Sequence, residues 1–222
     1  MCIRDRNTTV DIIKSCVPSI RNPWEIPLTD IYTILGVIRM ASYGSSINAK
    51  NTCTECGEEN NYDIDIQNML AHFAKGHYED SVVIDNMKFS LRPLTFRELN
   101  EINKQNFKLQ RTLLQAVPSI TDENQKAEEQ QKVYDALAVL RKNTVVSSIA
   151  KIEVDNEEET DLNEIAKFIE NADKDFFVKV EQAVMRNNEQ IIVPDTDIEC
   201  ANCGHKSKLN IEMDYSNFFA QG

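Results

Sequence analysis

The sequence predicts an α+β fold in which the two chain ends form one small β-containing module around a mostly helical insertion. The first observation is a Cys-x-x-Cys-Gly motif that occurs twice, at 53–57 and 200–204, with an offset of 147 residues. The second is that alternating apolar residues follow each motif, at 62–66 and 209–213, which is the pattern of a half-buried strand. We expect these two strands to pair in one sheet. The third observation is that the apolar residues between the motifs recur mainly at helical spacing.

The four cysteines of the motifs are candidate ligands for one structural Zn²⁺ ion per chain. Tetrahedral zinc takes four thiolates at about 2.3 Å, and a tight turn of this kind aims two sulfurs at one point. The glycine after each second cysteine can adopt the positive φ that such a turn requires. Four cysteines complete the coordination and leave no position for water or substrate, so the metal is expected to be structural. We therefore predict a four-cysteine zinc ribbon, with these ligands: Cys53, Cys56, Cys200 and Cys203.

Two other interpretations of the motifs remain open from the sequence. One is a redox-active cysteine pair, although such pairs usually begin a helix and both motifs here precede strands. The other is a two-cysteine, two-histidine finger formed by Cys53, Cys56, His72 and His77. Its loop is longer than the usual ~12 residues, and it would leave the second motif without partners.

The predicted domain organisation follows from these motifs and from the places where the apolar pattern changes. The first six residues resemble translated adapter sequence, so we expect the natural start of the chain to be missing. The predicted parts are an uncertain N-terminal segment at 1–22, an N-terminal helix at 23–50, zinc-ribbon halves at 51–70 and 191–222, and a β-hairpin plus helical insertion at 71–190.

The N-terminal helix is predicted to follow a rigid, extended stretch at 23–27. Thr29 is a candidate N-cap, because a hydroxyl can accept a hydrogen bond from the first turn. Gly44 is expected to end the helix. The buried face is predicted to carry Ile31, Ile34, Leu35, Ile38 and Ala41.

The insertion is predicted to open with a hairpin at 81–91, in which Asp85 and Asn86 form the turn. Thr95 and Glu98 have the spacing of a capping box and are expected to begin the first helix of the insertion. That helix is expected to stop at Pro118.

The second half of the insertion is predicted to contain three more helices. A long charged helix begins at Thr121 or Asp122, and another begins at Asp161. The acidic run at 153–161 is expected to be a loop, because neighbouring like charges repel. The last helix is predicted to carry Phe176, Phe177, Val180 and Val184.

Composition restricts the class of partner. The chain has 222 residues and a formal net charge of −12, so phosphates of nucleic acid and anionic membrane surfaces would be repelled. No run of about 18 apolar residues is present, and no membrane span is expected. Four of the six cysteines have metal-binding spacing, which favours a reducing compartment over a disulfide framework.

No catalytic constellation emerges from the sequence, so we predict that the protein is not an enzyme. There is no glycine-rich phosphate loop, nucleophile elbow or His-Glu-x-x-His motif. The aromatic pair Phe218 and Phe219 near the C-terminus is a candidate protein-docking peg, and packing of both rings on the protein's own core is the alternative.

Four short segments follow one another in a distinctive order: 26–28 (Ile-Pro-Leu), the first cysteine motif, 91–96 (Leu-Arg-Pro-Leu-Thr-Phe), and the second cysteine motif with its ending at 214–219 (Asp-Tyr-Ser-Asn-Phe-Phe). Over about 23–222 this order resembles the hub assembly proteins of the baseplate in T-even-type contractile-tailed bacteriophages. The resemblance implies a non-enzymatic protein of tail morphogenesis that acts on the central hub of the baseplate. Its partners would be other hub and tail proteins. Its location would be the host cytoplasm during assembly, or also the baseplate of the finished virion.

A zinc-ribbon adaptor of transcription, contacting polymerase or nucleic acid, is the alternative function. Such ribbons usually carry basic residues beside the knuckles, whereas the first motif here is flanked by Glu55, Glu58 and Glu59. The charge therefore favours the phage protein.

Overall fold

The computed structural model describes residues 3–75, 78–189 and 195–210, with side chains from residue 6 onward. The chain divides into two compact units, one formed by Met1–His77 with Gln190–Gly222 and the other by Tyr78–Glu189. The helices are α1 (Ile3–Cys16), α2 (Leu28–Tyr43), α3 (Ile66–Lys75), α4 (Phe96–Arg111), α5 (Glu123–Ser147), α6 (Leu162–Asn171) and α7 (Lys174–Glu189). The strands are β1 (Ser46–Thr52), β2 (Glu59–Asp65), β3 (Ser81–Ile84), β4 (Met87–Leu91), β5 (Ile149–Val154), β6 (Glu157–Glu159), β7 (Thr196–Glu199) and β8 (Lys206–Leu209).

The mixed helix and sheet content predicted from the sequence is confirmed, with two more α-helices than expected, α1 and α3. Helix α3 begins at Ile66, which was predicted to end a strand. Helix α1 lies in the segment for which no element was predicted, and it buries Val10 and Ile13. Its low apolar content explains why periodicity did not reveal it.

Helix α2 was predicted, but its cap was assigned to the wrong residue. The helix begins directly after Pro27, whose carbonyl accepts the N–H groups of Asp30 and Ile31 at 3.0 and 3.2 Å. The hydroxyl of Thr29 instead donates to the Asp30 carboxylate. Proline fixes its φ at a value that suits the start of a helix, so the helix begins at Leu28, before the start that a Thr29 cap would give. Of the predicted face, Ile31, Leu35 and Ile38 are buried, Ile34 is half-buried and Ala41 is exposed.

The strands of the first unit form two separate antiparallel hairpins. β1 pairs with β2 from Ser46 opposite Asp65 to Thr52 opposite Glu59, and β7 pairs with β8. The expectation that 62–66 and 209–213 share one sheet is therefore wrong for the residues that the structure describes, and 211–213 lie outside them. Each strand that leaves a cysteine motif pairs with the strand that enters it, because closing a short loop costs less entropy than closing a long one.

The second unit is built on a four-stranded antiparallel sheet with the order β3-β4-β5-β6. The predicted hairpin turn is confirmed, since Asp85 and Asn86 join β3 to β4 with φ of 48° and 67°. Both values suit the mirror-image turn that matches the twist of a hairpin. The core of this unit contains Ile84, Phe89, Leu91, Val145, Ile149, Ile152, Ile165, Ile169, Phe176, Val180, Ala183 and Val184.

The acidic run at 153–161 is not a loop, and that expectation is wrong. Asp155 and Asn156 form a second turn of the same kind, with φ of 50° and 69°, between β5 and β6. Lys151 donates to Glu158 across the strands at 2.6 Å. This cation offsets the repulsion between the glutamates, and the turn chemistry outweighs the charge pattern.

The helix starts of the second unit agree with the sequence. Thr95 and Glu98 form the complete capping box, with the Thr95 hydroxyl accepting the Glu98 N–H and the Glu98 carboxylate accepting the Thr95 N–H. Asp122 caps α5 and Asp161 caps α6. After α4 the chain continues as a short π-turn and a 3₁₀ turn that contains Pro118.

Candidate metal centre

Each cysteine motif closes a tight turn held by two backbone hydrogen bonds. In the first turn the N–H of Gly57 donates to the Cys53 carbonyl at 2.9 Å, and the N–H of Cys53 donates to the Glu58 carbonyl at 2.8 Å. The second turn repeats both bonds, each at 2.9 Å, through Gly204, Cys200 and His205. The sequence repeat with its offset of 147 residues is therefore also a structural repeat.

The two glycines are required for their backbone conformation rather than for space. Gly57 has a φ of +75° and Gly204 a φ of +71°, a region that other residues enter only with strain. A Cβ atom at Gly57 would meet no heavy atom within 4 Å. The glycine thus allows the chain to reverse directly after the second cysteine and to enter the following strand.

The structure brings together the four cysteines that the sequence predicted. Their four Sγ atoms all lie within 4.8 Å of one another, with Cys53 and Cys203 at 3.6 Å and Cys56 and Cys200 at 3.7 Å. A disulfide needs about 2.05 Å, and all four are free thiols. Zn–S bonds of about 2.3 Å in a tetrahedron place sulfurs about 3.8 Å apart. The donor set and its spacing therefore fit a tetrahedral four-thiolate metal.

The alternative two-cysteine, two-histidine finger is not supported by this geometry. His72 lies in α3, where its ring packs edge-on against Phe73 at 5.8 Å, and it is not a member of the cysteine cluster. His77 lies outside the described residues.

The cluster is sheltered on one side only. The first cysteine of each motif is buried, with Cys53 6% and Cys200 4% exposed. The second cysteine of each motif, Cys56 and Cys203, is exposed. Solvent thus reaches the cluster from the side of the second cysteines.

The thiols of the second motif have opposite pKa shifts because the sulfurs share one small volume. The backbone N–H of Cys203 donates to the Cys200 sulfur and, with the Asn60 side chain, outweighs burial and lowers the pKa of Cys200 to about 6. The N–H of His205 lowers the pKa of Cys203, but the Cys56 sulfur and burial outweigh it and raise that pKa to about 12. One thiolate therefore disfavours ionisation of a second cysteine beside it, and a bound divalent cation would offset this repulsion.

Three polar side chains at the site were missed by the sequence analysis. Asn60 in β2 donates to the Cys200 sulfur at 3.4 Å, and Asn202 donates to the Cys56 sulfur at 3.7 Å. The Tyr62 hydroxyl donates to the Glu199 carbonyl at 3.1 Å. Each bond joins one half of the site to the other. A polar residue at an inward position of an alternating strand, as at Asn60, is the feature that could have revealed the first of them.

A family model described as T4 bacteriophage base plate protein matches residues 3–220. The chain belongs to this family. The resemblance seen in the sequence is thereby confirmed at the level of the family. The match begins 20 residues before the segment on which the resemblance rested, and it includes α1.

Membership of the base plate family indicates a structural role in the phage tail, in contact with other tail proteins. A search of curated proteins and a search of solved structures each gave no match. Among the described residues, no helix combines the length and the apolar character needed to cross a membrane.

Proposed function

We propose that this base plate protein acts in assembly of the central hub, through protein–protein contacts, as a hub component or as an assembly chaperone. Family membership supports the baseplate, and the segments 26–28, 91–96 and 214–219 support the hub in particular. The partners are other baseplate hub and tail proteins, met in the host cytoplasm during assembly.

We further propose that Cys53, Cys56, Cys200 and Cys203 hold one structural zinc ion. The observation that carries this proposal is the spacing of 3.6 and 3.7 Å between sulfurs from opposite motifs. When bound, zinc supplies a divalent charge that stabilises four thiolates in one volume. The cysteines themselves connect two hairpins that are separated in sequence by the whole second unit.

Elemental analysis of the purified protein tests the metal site. We expect about one zinc per chain, and Cys200→Ser should lose it because three thiolates leave the coordination incomplete. Cys16→Ser is the matched control, since Cys16 is an exposed thiol in α1. Full zinc content in Cys200→Ser would contradict the four-cysteine site and favour the two-cysteine, two-histidine finger.

The hub assignment is tested by affinity purification of the tagged full chain from phage-infected cells, followed by identification of the co-purifying proteins. We expect proteins of the baseplate hub. Recovery of RNA polymerase subunits instead would contradict the hub assignment and support the transcription adaptor.

The docking role of Phe218 and Phe219 remains a proposal, because both lie outside the described residues. Replacing both with alanine should weaken hub binding while the zinc content stays unchanged. Burial of two such rings at an interface contributes about 3–6 kcal/mol before ordering costs. A double variant with lowered thermal stability would show instead that the rings pack on the protein's own core.

A further inference from the structure

Asn60 occupies an unusual position for an amide side chain. It lies in β2, four residues after Cys56, and only 7% of it is exposed. Polar side chains are buried at this level only when their hydrogen-bonding groups have partners.

All hydrogen-bonding groups of the Asn60 side chain are used. The Nδ2 group donates to the Glu58 carbonyl at 3.1 Å and to the Cys200 sulfur at 3.4 Å. The Oδ1 atom accepts the backbone N–H of Ala201 at 3.0 Å. The amide orientation follows from this last bond, because the flipped amide would place two donors face to face.

These bonds connect the first motif to the second. Glu58 belongs to the first turn, whereas Cys200 and Ala201 belong to the second. The structural repeat is broken at this point, since the residue that corresponds to Asn60 in the second half is Ser207. A serine has a shorter side chain and a single donor, so it cannot make the same three bonds. The three bonds of Asn60 therefore have no counterpart at Ser207, and the bond from the second motif to the first is made by Asn202, which donates to the Cys56 sulfur.

We propose that Asn60 is a positioning residue of the metal site. It fixes the backbone of the second motif through Ala201 and holds the Cys200 sulfur with an N–H···S hydrogen bond. This inference rests on the proposed zinc site. The bond to sulfur disperses part of the thiolate charge, as partners around metal ligands commonly do, and such partners change metal affinity by about 10- to 100-fold.

A packing role and a hydrogen-bonding role make opposite predictions for two substitutions. Asn60→Asp keeps the shape of the side chain and the acceptor for the Ala201 N–H, but it loses both donors and places a negative charge beside the thiolates. Asn60→Ala removes the donors and leaves a small cavity without adding charge. A positioning role through N–H···S predicts that aspartate is the worse of the two, whereas simple packing predicts that alanine is worse.

The experiment measures zinc affinity by chelator competition on the full chain. We expect Asn60→Ala to weaken zinc binding about tenfold and Asn60→Asp about 100-fold. Asn61→Asp is the matched control, since Asn61 is the exposed neighbour in β2, and it should stay within about twofold of the wild type. Substitution of Co²⁺ gives a second readout: loss of the bond to Cys200 should shift the thiolate-to-cobalt charge-transfer band in both Asn60 variants but not in the control.

The outcomes separate the inference from the zinc site on which it rests. Wild-type protein without zinc would overturn the site itself, before any variant is compared. If the wild type binds one zinc, two results would overturn the positioning role. One is that Asn60→Asp binds zinc as tightly as the wild type, and the other is that it binds zinc more tightly than Asn60→Ala. Circular dichroism at saturating zinc identifies a variant that fails to fold. In that case Asn60→Ser replaces it, and an unshifted cobalt band in that variant would also overturn the proposal.

Discussion

The second unit and the hairpins around the cysteines are held together by different forces. Twelve buried apolar residues form one core cluster in the second unit, with Phe89 and Phe176 in ring contact at 5.9 Å. In the four strands next to the cysteines, the buried apolar side chains are Ile47, Ile64 and Ile198. Burial of three such side chains contributes only about 5–9 kcal/mol before entropy is counted. The hairpins therefore depend on the cysteine cluster and on polar links, whereas the sheet depends on its core.

One feature is shared by both regions: a buried asparagine ties together distant parts of the chain. Asn60 joins the two motifs across 141 residues. In the second unit Asn187, which is 1% exposed, accepts the Glu79 N–H at 2.9 Å and donates to the Glu79 carbonyl at 3.0 Å, across 108 residues. In the second unit the hydrogen bonds of Asn187 add to an apolar core. At the cysteines the hydrogen bonds of Asn60 are among the main contacts that connect the two motifs.

Metal removal should give the largest effect and should separate the two regions. Chelation of zinc is expected to remove ~10 kcal/mol or more of stabilisation from the hairpins, because structural zinc is coupled to folding. Amide hydrogen exchange should then become fast in β1, β2, β7 and β8, while β3–β6 keep their protection. Equal loss of protection in the four-stranded sheet would contradict the comparison.

A cavity in the core of the second unit should have the opposite effect: it should lower the stability of that unit and leave the metal site unchanged. Phe89 is fully buried, and Phe89→Ala is expected to cost about 3–5 kcal/mol in chemical denaturation. The zinc content should stay at one per chain, since the core cluster contains none of the cysteines. Val83→Ala in the neighbouring strand is the control, because Val83 is 68% exposed and its loss should cost about 0.5 kcal/mol or less. Loss of zinc in Phe89→Ala would show that the two regions depend on each other.

The sequence predicted those features that depend on short-range chemistry. The capping box at Thr95 and the turn at Asp85 depend on residues close together in the chain, and the structure shows both. The four cysteines were grouped although their two motifs lie 147 residues apart, because each motif is a local pattern that occurs twice, and the structure brings the four sulfurs together. Strand pairing was predicted wrongly because alternation marks a strand but does not name its partner. Asn60 was missed because its partners lie about 140 residues away. The turn at 155–156 was missed because charge repulsion was given more weight than turn chemistry.

Substitutions at the turns should have smaller effects on the free energy of unfolding. They compare the hairpin at the first cysteine motif with a hairpin of the second unit. Gly57→Ala should cost about 1–2 kcal/mol through its positive φ alone, because there is open space for the added Cβ. Asn156→Ala, at a φ of 69°, should cost about 1 kcal/mol, since asparagine tolerates this region better than alanine. Asn124→Ala, at an exposed position in α5, serves as the control with an effect of about 0.5 kcal/mol or less. A neutral Gly57→Ala would show that the cysteines alone fix the first turn.

The smallest effect concerns Glu98 in the second unit, and it tests whether polar contacts there are only supplementary. Burial alone would raise the pKa of Glu98, but hydrogen bonds from Arg92 and from the Thr95 N–H outweigh it and hold the pKa below its ordinary value of 4.5. Because the pKa is lower in the folded state, the carboxylate stabilises the protein above about pH 4.5, and this stabilisation is lost as the pH falls through the folded-state pKa. Glutamine keeps the capping geometry but does not ionise.

The stability of the wild type relative to Glu98→Gln should therefore decrease between pH 6 and pH 3, by about 0.5–1 kcal/mol for a partly exposed pair. Comparison of both proteins at each pH cancels the loss of zinc that thiol protonation causes in acid. Glu170→Gln, the same substitution at an exposed position in α6, provides the matched control, since surface substitutions change stability by about 0.5 kcal/mol or less. A difference of several kcal/mol at Glu98 would mean that the second unit, like the hairpins, depends on a polar contact for its stability, and the contrast between the two regions would then be lost.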